Sequence, residues 1–575
     1  MIDFTTKQEQ LFFSLTLNEK EKKILFEFLK FLNDSGVGEY IPEVKDERFT
    51  KGGRPPHNYG ELFAATLYGF AFSAYSSREL EDRCKFDLRY IFLTSSKTPS
   101  HSTFSKFFRE VIVPNRKEIF ACITKEVIKR CSIDTSDLFI DGTKFEANAN
   151  KYKFVWKPTK FHIRLTLKVK NILIDLGYKD IPDDEIIPAS YIAEKIIDVD
   201  KKLKSVEDKD EKKKINKAYK NLNKHLLTAL GYEEKEEICG DDRNSFYKTD
   251  HSATGMCTKN DFYSGLGSNT KAAYNSQIGV SKGIICVYYV SSSRNDINDF
   301  IPTLKQYYEM HGKYPERVCA DSGYGSYDNY LFLKENNIES YVKHQSFSGN
   351  VSGKNPDKYH YDGNETIKCL NGNTGVKIDI AERHPRNAKS HFYKVKGCST
   401  CPFMPFCKKG MSDKESNERI FEINEEYALM KQETFDRLLT PEGVAMRVNR
   451  SCQVEGTFGV IKEDMKFTRL ERTEKENVEA ELIMIYLGYN IRKLFSLFNG
   501  KLKTDYWIPP KSLQPETPKK PSAKRLSKKA IKKSQKQPNE KAKKVIKINT
   551  KELNRRPINR SPIQEVLIQP LLPYY

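Results

Sequence analysis

The sequence predicts an α/β protein in which a mixed sheet carries helical insertions, an all-α region precedes it and a basic, disordered tail follows. Up to about residue 130 the apolar spacing is helical and no convincing strand occurs. Beyond it, β-favouring runs and helical stretches follow in the order strand, long insertion, strand, strand, helix, strand, helix. The last stretch, from about residue 514, is rich in Lys, Pro, Ser and Gln and poor in aromatics, so it buries too little apolar surface to fold.

Length and charge set the frame. At 575 residues the chain exceeds a single ordinary core, and roughly two to four domains are expected. The composition shifts fall near 1–130, 131–500 and 514–575. The net charge of +20 favours polyanionic partners with salt-sensitive affinity. Lys519 to Lys547 holds 13 Lys and Arg against one acid, Glu540, so this stretch supplies +12 and the rest +8. No window approaches the ~18 apolar residues of a membrane span, and MIDFTTKQEQ lacks a charged-then-apolar leader pattern. The expected setting is intracellular, where 12 cysteines are too sparse for a disulfide scaffold and mostly serve as buried thiols.

In the helical region, GRPPHNYGELFAATLYGFAFSAYSSRELEDRC gives a breaker-rich entry, an apolar helix, a Ser-Ser turn and an amphipathic helix. TPSHSTFSKFFREVIV offers Ser and Thr as N-caps, with Phe104, Phe107, Phe108 and Val111 on one face and Ser105, Lys106 and Arg109 on the other. Lys106 and Arg109 are then either phosphate contacts of a groove-binding helix or the solvated side of a packing helix. The charged insertion over about 160–240 reads as a long helical hairpin, a spacer or DNA-supporting arm. AAYNSQIGVSKG and GIICVYYVSSS join at Lys282-Gly283 as a hairpin, a helix follows over about 299–311, and RVCADSGYG gives the next strand. That succession fits a mixed sheet of RNase H-like type whose last functional acid arrives on a later helix.

Three acids stand in informative contexts. Asp141 in LFIDGTKFEANAN and Asp321 in RVCADSGYGSYDNYLFL each follow a short apolar run and precede a glycine, which places a carboxylate at the exposed end of a buried strand. Glu455 in RSCQVEGTFGVIK lies in helical sequence, with Lys462 on nearly the same face. Such a set can hold a pair of divalent ions. On an ideal helix Arg450 stands about 140° from Glu455 and Arg447 about 80°, so which arginine serves the site is open. Gly456 and Gly459 each cost about 1 kcal/mol there relative to alanine, and either close backbone approach to DNA or to a strand, or a locally broken helix, accounts for them. Trp156 in KYKFVWKP, with Lys153 and Lys157 nearby, stacks on an unpaired base or packs in a core or interface.

A second insertion, about 345–425, carries GCSTCPFMPFCKKG. Cys398, Cys401 and Cys407 form C-x2-C-x5-C, and Cys369 is the nearest fourth thiol. This set suits tetrahedral Zn2+, with Lys394, Lys396, Lys408 and Lys409 helping to keep the thiolates charged. Free cysteines in a loop-rich insert are the other reading.

Taken in order, these segments resemble the DDE transposases of bacterial insertion sequences, most closely the eleven-eighty-two group. The resemblance spans about residues 50–500 and rests on ELFAATLYGFAFSAYSSRELE, TPSHSTFSKFFRE, DGTKFEANANKYKFVW, KTDHSATGM, YNSQIGV, DSGYGS, the C-x2-C insert and VEGTFGVIK. It implies that Asp141, Asp321 and Glu455 form a catalytic triad binding two Mg2+ (or Mn2+) ions for phosphoryl transfer at double-stranded DNA. A 3′-hydroxyl would be freed at the inverted-repeat end of the element and then joined to target DNA. A homo-oligomer on DNA, in the bacterial cytoplasm at the nucleoid, is also implied. Relatives carry a Tyr, Arg, Glu, Lys pattern, with Arg four residues and Tyr seven residues before the acid. Here Ser451 and Val448 stand at those places, while Lys462 matches. The alternatives are a metal-dependent nuclease without strand transfer and a zinc-containing DNA-binding protein without catalysis.

Overall fold

The structure, a computed structural model, describes residues 17–43, 56–150, 152–240, 243–257, 270–380, 389–411, 415–503, 514–523 and 525–526. The chain divides into two compact units, 1–347 with 426–517 and 348–425 with 518–575.

The first unit opens on helices α1 (Glu19–Asp34), α2 (Tyr59–Ala71), α3 (Ser77–Phe86), α4 (Leu88–Leu93), α5 (His101–Phe107) and α6 (Arg116–Arg130). No strand occurs among the described residues before 130. Side-chain caps start these helices where the sequence offers them: Asn58 accepts from Gly60 N at 2.7 Å, Ser76 from Glu79 N at 3.1 Å and Ser100 from Thr103 N at 3.3 Å. Phe104, Phe107, Phe108 and Val111 are buried, and Lys106 and Arg109 face solvent, as the helical spacing predicts.

Next come β1 (Asp137–Glu146), β2 (Phe154–Trp156), α7 (Thr159–Asp175), α8 (Ala189–Ser205), α9 (Lys209–Cys239), β3 (Ser245–Tyr247) and β4 (Thr254–Cys257). The insertion is thus three helices and not a hairpin. Gly177 at φ +83° ends α7, and Pro182 and Pro188, which lack an N–H, keep 176–188 from continuing it. Leu165, Val169, Ile192, Val199 and Leu222 give these helices a core of their own.

β5 (Thr270–Ser281), β6 (Ile284–Ser291), α10 (Phe300–His311), β7 (Arg317–Cys319), α11 (Tyr327–Glu335) and β8 (Glu339–Ser340) complete the sheet. β5 pairs antiparallel with β1 along one edge and with β6 and β4 along the other; β7 then runs parallel to β1, and β8 parallel to β7. Lys282 and Gly283, at φ +48° and +76°, make the tight β5–β6 turn, both in the left-handed region such a two-residue hairpin requires. The predicted order of elements is therefore observed.

Three later helices close the unit: α12 (Glu425–Leu439), α13 (Pro441–Arg450) and α14 (Lys475–Phe498). α14 is buried on all sides from Val478 to Ile491, as a helix held between two layers must be. One side meets the sheet, where Tyr486 bonds Ser276 at 2.7 Å and the Asn490 amide satisfies both backbone groups of Ile285 at 2.9 and 3.0 Å. On the other, Gly488 lies so close to α2 that a side-chain carbon would stand 2.7 Å from the Phe70 carbonyl carbon. The N-terminal helices and the sheet share one core through this helix.

The second unit holds an antiparallel sheet of β9 (Tyr359–Tyr361), β10 (Thr366–Cys369), β11 (Thr374–Ile378), β12 (Ser390–Lys396) and β13 (Glu418–Asn424), in that spatial order. Most of the tail over 514–575, including the basic run beyond residue 526, lies outside the described residues. Its root departs from the disorder expected of it, because local bonds tie it down. In the first unit Glu516 N donates to Leu439 O at 2.8 Å; in the second Lys519 N donates to Val351 O at 2.9 Å and Leu526 is buried. Among the described residues no helix is long and apolar enough to cross a membrane.

Candidate active site

β1 and β7 run parallel with Phe139 opposite Cys319. Asp141 and Asp321 each lie two residues further on, so the register brings the two acids level where β7 stops and β1 continues. Asp141 is accordingly in the middle of β1, opposite Ile278 of β5, and not at the strand end the sequence suggested. The end that matters belongs to its shorter neighbour. Asp141 Oδ1 accepts from Gly142 N at 2.8 Å, and Asp321 Oδ1 accepts from Gly323 N at 2.8 Å, which fixes the turn Ser322–Tyr324. Burial, partly offset by Arg450 and reinforced by Asp321, pushes the Asp141 carboxyl up to about 6.

Glu455 arrives on a continuation of α13. Beyond Arg450 the helix widens into a π turn (Ser451–Glu455), returns to α over Gly456–Gly459 and widens again over Val460–Asp464. A π turn bonds residue i to i+5 instead of i+4 and so widens the repeat, which brings Arg450 toward the face of Glu455, where the ideal-helix angle had set it well away. Its guanidinium bridges two acids, Nη1 to Asp141 Oδ2 and Nη2 to Glu455 Oε1, both at 2.9 Å, with only 9% of the side chain exposed. Arg447 turns elsewhere, to Glu516 at 2.5 Å and over the Phe347 ring at 5.1 Å. Lys462 Nζ donates to Thr143 Oγ1 of β1 at 2.5 Å and lies 5.1 Å from the Phe145 ring centre. A side chain on Gly456 or Gly459 would meet open space, so no strand approaches them closely.

Two parts of this neighbourhood were not foreseen. Lys343, just beyond β8, is drawn below the usual lysine range by burial and by Arg450 and Arg447, with Asp321 acting the other way. The second part is a buried polar network behind the acids. Tyr324 donates to Gln277 Oε1; Gln277 Nε2 donates to Asp296 Oδ1 at 3.0 Å, and Asn275 Nδ2 donates to the same oxygen at 2.8 Å. Asn275 also reaches Asp299 at 3.1 Å, whose carboxyl burial pushes up to about 6. Gly142, opposite Gln277 on β1, leaves room for that amide, with which any side chain would clash. The only sequence signal was the run of polar residues in YNSQIGV, strand positions that turn out to be buried.

The remaining predicted residues lie elsewhere in the chain. Trp156 pairs opposite Ser245 in the β2–β3 ribbon, is 63% exposed and meets Phe154 edge-on at 5.5 Å, which removes the core reading. Lys106 and Arg109 make only long surface pairs to Glu110, at 3.9 and 3.5 Å. In the second unit, Cys369, Cys398, Cys401 and Cys407 line one small cavity with Phe403, Met404 and Phe421. The cation that touches a thiol is Arg419, which donates to Cys407 Sγ at 2.9 Å; of the expected lysines, Lys394 pairs with Glu418, while Lys408, which donates to Ser416 O, favours the Cys398 thiolate through its charge. Burial raises the Cys407 and Cys398 thiols above their ordinary range.

Carboxylate oxygens suit Mg2+ or Mn2+, and four thiols suit Zn2+. As they stand, Arg450 engages Asp141 and Glu455 and Arg419 engages Cys407. Among the described residues no group of three or more His, Cys, Asp or Glu is gathered to hold an ion.

Two family matches complete the picture. Residues 17–110 match a family described as Transposase domain (DUF772), and residues 368–495 one described as Transposase DDE domain. No curated protein and no solved structure matches. Both matched regions thus point to the class of a transposase, an enzyme that cuts and rejoins DNA. More particularly, the two matches indicate a DDE transposase of insertion-sequence type.

Proposed function

We propose that Asp141, Asp321 and Glu455 are the catalytic triad of a transposase with an RNase H-like core, related to the eleven-eighty-two group. It binds the inverted-repeat ends of its element and catalyses strand cleavage and strand transfer. The observation that supports this reading is the β1–β7 register that sets Asp141 and Asp321 level, together with the Arg450 guanidinium that joins Asp141 to Glu455. The strand order β6-β5-β1-β7-β8, antiparallel then parallel, supports the fold.

The triad would hold two Mg2+ or Mn2+ ions, which when bound activate the attacking oxygen and stabilise the leaving one. Arg450 has to release Asp141 and Glu455 for this, and a DNA phosphate is an equally good partner for its guanidinium. Lys462 and Lys343 sit beside the acids as further phosphate contacts. Trp156 with Lys153 and Lys157 stacks on an unpaired base, and Lys106 and Arg109 contact the duplex backbone. The four cysteines bind structural Zn2+, and the chain works as a homo-oligomer on paired ends in the cytoplasm.

Incubating the full chain with DNA carrying the element's ends and Mg2+ tests the reading. Joined products support it; cleavage without joining replaces it with a nuclease, and absence of metal-dependent cleavage with a DNA-binding protein.

A further inference from the structure

We propose that the exposed aromatic face of the β2–β3 ribbon is a binding surface for an unpaired DNA strand, on which Phe154 and Trp156 stack bases while Lys153, Lys160 and Lys248 meet the phosphates. This deepens the function proposed above: it rests on that reading for the DNA, extends one stacked base to a stretch of strand, and is independent of the triad.

Phe154 and Trp156 are alternate residues of β2 and so share one face of the ribbon. They are 46% and 63% exposed, whereas Phe246 and Tyr247 of the partner strand β3 are buried. Burial of β3 anchors the ribbon, and β2 presents its rings to solvent. The two rings meet edge-on at 5.5 Å, so neither is stacked on the other. A two-residue step along a strand is about 6.7 Å, twice the ~3.4 Å rise between stacked bases of a duplex. Bases lying on the two rings are therefore spread apart as only an unpaired strand permits.

The surrounding charge fits the same partner. From Ala147 to Ile174 the sequence has seven Lys and Arg and no Asp or Glu, a charge of +7 against the +8 of everything outside Lys519 to Lys547. Lys248 stands beside Lys153, to whose carbonyl its N–H donates at 2.9 Å. Among the described residues Lys153, Lys160 and Lys248 are exposed and make no ion pair. Lys157, with one bond to Gly240 O at 2.8 Å, keeps two of its three donors. Just beyond Lys160, Phe161 is also exposed, with the Arg164 guanidinium 5.8 Å from its ring centre. Rings interleaved with unpaired cations suit a strand that offers both π-faces and phosphates. A duplex keeps its bases stacked on one another and uses the cations alone, and a protein partner would have to bring acids to this face.

Trp156 is one of two tryptophans, so a Trp507→Phe chain reports from it alone. The test titrates that full chain in chelator with a single-stranded oligothymidylate of about 12 nucleotides and with a duplex of equal length. The single strand should quench Trp156 emission saturably, and the duplex should not. In anisotropy with labelled DNA, Phe154→Ala and Trp156→Ala should each weaken single-strand binding by about fivefold to a hundredfold and duplex binding by less than about twofold, at an unchanged melting temperature. Quenching needs no substitution in the ribbon and decides the matter if a variant fails to fold. Single-strand affinity within about twofold of native in both variants, or equal quenching by the duplex, makes the contact electrostatic and overturns the inference alone, since DNA binding then stands. Emission that changes with protein concentration in the absence of DNA makes the rings an interface between copies and also overturns it. No binding of either DNA by the native chain overturns the DNA-binding reading and this inference with it.

Discussion

Asp141 should be a residue that the folded chain keeps at a cost, and Asp141→Asn measures that cost. Its carboxyl holds a proton up to about 6 in the folded chain against 3.8 ordinarily. That difference corresponds to about 3 kcal/mol of disfavoured charge. The sign follows from proton counting. Between pH about 4 and 6 the folded chain holds a proton that the unfolded chain has lost, so stability falls as pH rises through that window and the cost persists above it. Asparagine resembles the protonated acid and does not carry the cost. In chelator at pH 7.5, Asp141→Asn should therefore melt higher than the native chain by roughly 3–6 °C, and at pH 4 the two should coincide. Adding Mn2+ should narrow or reverse the order, because a ligand at a hundred times its Kd stabilises the native chain by about 2.7 kcal/mol and has lost its site in the variant. Scanning calorimetry at both pH values, with and without Mn2+, reads all of this. A variant less stable than the native chain in chelator at pH 7.5, or one stabilised equally by Mn2+, would refute the reasoning.

Three further outcomes follow from the geometry. Arg450→Ala leaves Asp141 and Glu455 without their shared partner and should cost about 3 kcal/mol in urea denaturation at neutral pH, with part regained on adding Mn2+. An unchanged midpoint would mean that the bridge contributes nothing. Gly488→Ala places a carbon 2.7 Å from the Phe70 backbone and should destabilise the first unit by about 1–3 kcal/mol, seen as a lower melting temperature; a neutral result would show that α2 and α14 can part without penalty. Cys401→Ser should lower the zinc content of purified protein measured by elemental mass spectrometry, and native protein free of zinc would dispose of that ligand set.

How much was legible depended on how local each signal was. The apolar runs around Asp141 and Asp321, the Lys282-Gly283 turn and the Ser100 cap are set by a few neighbouring residues, and all appear where periodicity and turn chemistry put them. The level placement of Asp141 and Asp321 needed the β1–β7 register, a contact across 180 residues that no local pattern encodes. Asp296 reads as one more polar loop residue until β5 brings Asn275 and Gln277 against it. The third helix of the insertion was missed because helical charge spacing continues across Pro188 while the backbone cannot. At the root of the tail, Glu516 and Lys519 are held by backbone bonds to which composition is blind.

The π turn at Ser451–Glu455 also changes how this chain should be aligned. In an α-helix a residue facing Glu455 from one turn away stands three or four positions earlier; a five-residue turn moves that place to Arg450. The resemblance leads one to expect an arginine four positions before the acid; here the wider turn lets Arg450, five positions before Glu455, pair with it instead. A gap-free alignment would pair Ser451 with the expected arginine and score a missing residue. Deleting one residue from 451–454 should restore the α repeat and leave Arg450 facing Glu455 at the relatives' spacing.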